Sequence, residues 1–117
     1  MNLAARLEGL NKDYGTSILV SSALRQRAAG RFRFRSVDRI SPKGFAETFE
    51  VYELRGEGPE ASPDEAEFCR AWELVYGAIR AGPLAVAEVE LGAFLARHPN
   101  DGVARYHKWA KMLSGAA

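Results

Sequence analysis

The chain has 117 residues, and its 16 Lys and Arg nearly balance 15 Asp and Glu, leaving a net charge of +1. So even a balance, with 47% hydrophobic residues, is ordinary for a globular chain and points to neither nucleic acid nor an anionic membrane surface as a partner. The single Cys69 excludes an internal disulfide, and no apolar run approaches the ~20 residues of a membrane span, so a cytoplasmic, reducing compartment is expected.

The first half alternates helix and strand. Residues 2–13 read as an amphipathic helix with Leu3, Leu7 and Leu10 on its buried face. Asn2 and Arg6 stand four apart on another face, one turn from each other. Gly15 is placed to end this helix in the left-handed conformation. Ser17–Val20 then read as a short buried strand, and Ser21 or Ser22 as the cap of a second helix over 22–29. In Arg31-Phe32-Arg33-Phe34-Arg35 a period of two predicts a strand with Phe facing inward and Arg facing water. That reading is preferred over single-stranded nucleic-acid binding, because strict alternation separates the rings from the cations. Residues 37–40 continue the strand to a turn at Ser41-Pro42-Lys43-Gly44. Residues 48–54 form the last strand, with both faces partly covered.

Arg55 to Ala61 has the composition of a linker. Ser62-Pro63-Asp64-Glu65 then starts a helix, with Ser62 as cap and Glu65 completing a capping box. Phe68, Ala71, Trp72, Val75 and Ile79 lie on one stripe of it, up to Gly82. A second helix opens at Pro83, with Leu84, Ala87, Leu91, Phe94 and Leu95 as its apolar residues. A third, over 101–113, carries Val103, Tyr106, Ala110 and Leu113. The prediction is a helical hairpin plus a third helix.

Motif chemistry is sparse. His98 and His107 lack metal-ligand spacing and read as surface or partly packed side chains. Cys69 sits in an apolar helical pattern, which argues for a packed thiol rather than a nucleophile. Gly56-Glu57-Gly58 lacks the strand-to-helix context of a phosphate loop. The remaining groups suited to an anion are Arg6 with its neighbour Asn2, and Lys43 in its Pro-Lys-Gly turn.

Residues 2–21, Asn-Leu-Ala-Ala-Arg-Leu-Glu-Gly-Leu-Asn-Lys-Asp-Tyr-Gly-Thr-Ser-Ile-Leu-Val-Ser, resemble the C-terminal part of class III adenylate/guanylate cyclase catalytic domains. Residues 32–45 and 49–54 resemble the closing strands of the same family. The resemblance implies that Asn2 orients the nucleotide ribose. It implies that Arg6 stabilises charge at the α-phosphorus as the 3′-hydroxyl attacks, and that Lys43 grips the terminal phosphates. Lys43-Gly44-Phe45 departs from the family's Lys-Gly-Lys by lacking the second cation. The family's metal-binding aspartates and base-selecting residues lie upstream of its Asn-Arg helix. The implied Mg²⁺ (or Mn²⁺) of the intact domain therefore has no ligands in this chain.

Together these readings predict an α+β fold. Residues 1–54 would be the C-terminal portion of a ferredoxin-like cyclase domain, in the order helix-strand-helix-strand-strand. Residues 55–61 would be a linker, and 62–117 a helical extension resembling a tetratricopeptide unit. The functional expectation is a truncated nucleotidyl cyclase that binds a nucleoside triphosphate and is inactive alone. It would act as a homodimer or beside a complementing cyclase chain. The alternative is a non-enzymatic interaction module built on the helical half.

Overall fold

In a computed structural model of the chain, residues 3–41, 44, 46–58 and 60–116 are described. The fold is α+β. Its elements are α1 (Leu3–Tyr14), β1 (Leu19–Ser21), α2 (Ser22–Ala28), β2 (Phe32–Ile40), β3 (Phe49–Glu57), α3 (Pro63–Ala81), α4 (Leu84–Arg97) and α5 (Gly102–Ala116). The strands form an antiparallel sheet in the order β1-β3-β2. The local signals act as predicted at several ends. Gly15 takes φ +67° after α1. Ser21 Oγ accepts the Leu24 N–H at the start of α2, and Ser62 Oγ accepts the Glu65 N–H at the start of α3. Leu7 is buried, with Leu3 and Leu10 packed beside it, as the α1 pattern required.

The arginine strand is the main correction. Arg35, expected on the face toward water, is roofed by the helical half, whereas Arg31 stays exposed and Arg33 is only partly buried. Arg35 is 2% exposed, whereas Phe32 is 36% exposed. Arg35 lies directly across from Glu53 in the register and gives it a 2.7 Å bond from Nε. Its two other nitrogens fork onto Asp101 at 3.1 and 2.7 Å. The guanidinium also lies over the rings of Phe68 and Trp72 of α3. A strict two-residue period cannot distinguish a solvated cation face from one covered by a later segment carrying matched carboxylates.

The expected linker is also partly strand. β3 runs on to Glu57, so Arg55, Gly56 and Glu57 belong to the sheet. Arg33 holds the chain beyond it, donating to the carbonyls of Glu57, Gly58 and Glu60 at 2.8, 3.2 and 2.7 Å. Gly56 faces Arg33, and a Cβ there would collide with that guanidinium. Only half of the expected capping box forms. The Glu65 carboxylate turns away from Ser62 and takes a two-point contact from Arg55, at 2.9 and 2.7 Å.

The helices reach the sheet where β2 is irregular. Its register passes over Val37: Ser36 pairs with Tyr52 and Asp38 with Val51. β2 is the edge strand, so the backbone groups it turns away from β3 beside this bulge are open to the helices. Trp72 Nε1 donates to the Ser36 carbonyl, and His107 Nε2 lies 2.6 Å from the Val37 carbonyl. A carbonyl only accepts, so that nitrogen carries the proton. His107 is 5% exposed, more deeply packed than its sequence context suggested, while His98 rests on Phe68 and Phe94 as a partly packed side chain. Glu73 takes the Ser36 N–H and hydroxyl on β2, at 2.8 and 2.9 Å. One hydrophobic core results. Leu7, Tyr14, Leu19, Val37 and Val51 join Trp72, Val75, Leu91, Phe94 and Val103 within it.

Two outcomes test this packing. Removing Arg35 leaves two carboxylates in a site shielded from water, and broken buried pairs of this kind cost about 3–5 kcal/mol. Arg35→Ala should therefore lower the urea unfolding free energy by that amount, read by circular dichroism. The Arg55 contact holds the Glu65 carboxyl below its usual value of 4.5. A lowered folded value stabilises above the unfolded one and is lost as pH falls through it. Glu65→Gln should flatten the decline in stability below pH 4.5. The effect should be small, because the pair is partly solvated.

Candidate functional site

The α1 pattern repeats every four residues along a second stripe. Arg6, Leu10 and Tyr14 are spaced i, i+4, i+8, which places them up one helix face. In the structure they line one side of a cavity of about 330 Å³. Asp38, Arg39 and Ile40 of β2 also line it, with Ser41 just beyond the strand. Tyr106 of α5 completes the wall. Arg6 is half-buried. Of the other residues expected to meet nucleotide, Asn2 and Lys43 lie outside the described residues. In sequence, Asn2 stands four before Arg6, and Lys43 two after Ser41.

The polar groups of the cavity are arranged by the bulge. Asp38 pairs with Val51, as Arg35 pairs with Glu53, so the extra residue brings Asp38 onto the covered face. There it accepts the Tyr14 hydroxyl at 2.7 Å through Oδ2. Its other oxygen, Oδ1, accepts the Arg39 N–H at 2.8 Å. Both oxygens are therefore engaged by donors, which lessens the repulsion this carboxylate exerts on an anion in the cavity. Burial, and next the Asp38 hydrogen bond, push the Tyr14 hydroxyl well above its ordinary value of 10.0. Tyr14 thus stays a protonated donor throughout the physiological range. Arg39 is half-exposed and lies 2.9 Å from Glu50 through Nε.

Sequence reasoning found Arg6 and missed Tyr14, Asp38, Arg39 and Tyr106. The spacing of Tyr14 from Arg6 carried a usable signal. Asp38 and Tyr106 carried none, because one depends on the bulge and the other on the docking of α5. Cys69 is half-buried, and burial raises its thiol above the usual value, which agrees with a packing role. Among the described residues, no three His, Cys, Asp or Glu side chains come together as a metal-binding group. Among the same residues, no helix is long and apolar enough to cross a membrane.

A stretch of 56 residues, 48% of the chain, is 41% identical to adenylate cyclase 1 of Rhizobium meliloti (strain 1021). The match takes in 8% of that protein's length. This identity supports a cyclase-related region in the chain. No family model matches the chain, and no solved structure matches it.

Tyr14→Phe removes the bond to Asp38 and should cost about 1.5–3 kcal/mol, the range for a hydrogen bond to a charged group. The raised value of Tyr14 stabilises fully below pH 10.0, and this contribution is lost as pH rises above it. Urea midpoints measured against pH should therefore fall less steeply above pH 10.0 in Tyr14→Phe than in the parent chain.

Proposed function

We propose that the chain supplies the phosphate-facing part of a class III nucleotidyl cyclase site. The observation that carries this reading is the 41% identity over 56 residues to an adenylate cyclase. It is supported by a cavity lined by Arg6 and Arg39, with Ser41 leading in sequence toward Lys43. A guanidinium offers a planar fork of donors matched to phosphate oxygens. In this reading Arg6 neutralises charge on the α-phosphate. The 3′-hydroxyl oxygen bonds to that phosphorus as the bond to pyrophosphate breaks, and the hydroxyl proton is released to water. Asn2 orients the ribose, and Lys43 holds the departing phosphates. The contribution of this chain is electrostatic, aimed at charge that grows in the transition state. The metal ligands and the base-reading residues would come from a second cyclase chain, across a shared dimer site.

A second reading is an interaction module. It is favoured by the exposed Leu74 of α3 and Val89 of α4, which are 72% and 69% exposed. Nucleotide affinity separates the two. The full chain should bind a non-hydrolysable ATP analogue. Arg6→Ala and Lys43→Ala should each weaken that binding by about tenfold or more, the loss of one charge-assisted contact. Affinity unchanged in both variants, measured by calorimetry, would reject the cyclase reading. Capture of a protein partner unaffected by nucleotide would then favour the module.

A further inference from the structure

The Arg6 cavity is not walled by the cyclase-like half alone. We propose that Tyr106, on the C-terminal helix, is a positioning residue of this cavity. It fixes the Arg6 helix from the side, and its own place is set by the close approach of Gly102 to Gly15. The inference rests on the nucleotide reading above only for the identity of the ligand.

Three observations carry it. First, Tyr106 lines the same cavity as Arg6. Second, its ring meets that of Tyr14 at 4.4 Å between centroids and 57° between planes. Tyr14 is 2% exposed and bonded to Asp38, so it offers a fixed surface two turns along α1 from Arg6. Third, α5 begins against the end of α1. A Cβ on Gly102 would collide with the Tyr14 carbonyl oxygen. A Cβ on Gly15 would touch the Gly102 Cα at 3.4 Å. Only a residue without a side chain lets α5 start here. Tyr106 follows four residues later, one turn up the same face. A shift at Gly102 is therefore transmitted to the cavity wall.

Occupancy of the cavity and docking of α5 are then linked. A ligand that needs the closed wall favours the docked helix, and by reciprocity the docked helix favours the ligand. The helical half thereby acts on the Arg6 site through packing, without touching phosphate itself.

The test uses the full chain and four variants: Tyr106→Ala, Tyr106→Phe, Gly102→Ala and Gly92→Ala. Gly92 lies in α4, where an added Cβ meets nothing within 4 Å. The first readout needs no nucleotide. It is the rate at which phenylglyoxal modifies Arg6, followed by peptide mass spectrometry. Tyr106→Ala and Gly102→Ala should raise that rate severalfold, while Tyr106→Phe and Gly92→Ala keep the parent rate. The second readout is affinity for the ATP analogue, which should fall by about tenfold in the first two variants only. Circular dichroism verifies that each variant is folded. If Tyr106→Ala fails to fold, Gly102→Ala and the Tyr106→Phe rescue decide. An Arg6 rate unchanged in the folded variants overturns the role of Tyr106. A parent chain that binds no analogue defeats the nucleotide reading instead, and the modification rates still decide the role of Tyr106.

Discussion

A guanidinium removed from water must have its charge answered where it lies, and Arg35 is that group here. Desolvating an ion of this size costs several kcal/mol. The cost is offset only because the sheet supplies Glu53, the start of α5 supplies Asp101, and α3 supplies the faces of Phe68 and Trp72. Asp101 also accepts the Ala104 N–H at 3.0 Å, so one carboxylate both caps α5 and binds the sheet cation. A well-packed hydrophobic replacement could match the stability of such a network. The second arginine, Arg55, extends the pattern by joining Glu53 to Glu65 beneath Phe68.

The same constraint explains which parts of the fold were legible in sequence. Helix and strand positions follow from local signals, and Ser21, Ser62 and Gly15 act at the ends where composition placed them. Partners beyond the local window were not legible. Alternation in Arg31–Arg35 identified a two-faced strand but could not say which face a later helix would cover. One of the two carboxylates that answer Arg35, that of Asp101, lies 66 residues further on. The passed-over Val37 shows the same limit, because one inserted residue reverses the facing of everything after it. Glu65 had two possible partners, and its cap position revealed only the nearer one.

The candidate site divides along similar lines. Arg6 stood out through its resemblance to a known helix, and its stripe-mates Leu10 and Tyr14 could be read from spacing. Asp38 reached the cavity through a backbone irregularity, which composition does not announce. Tyr106 arrived from the opposite end of the chain, on a helix whose apolar pattern described packing alone. Asn2 and Lys43, the other two residues the resemblance implied, lie outside the described residues. The site as described is therefore a cavity of mixed origin, lined by two arginines and by a carboxylate that two donors engage.

The shared core has a further consequence, for modularity. The strand face carrying Val37, Val51 and Arg35 has no exterior form of its own: without α3 and α5 it would present two fully buried valines and a cation flanked by acid. Neither half is then a portable cassette. A recombination point placed at 58–61 would look harmless by composition, yet it would sever a polypeptide whose two sides share one interior. Inheritance should favour keeping these helices with this sheet as a single block. Changes at positions such as Arg35 and Asp101 would be accepted together or not at all.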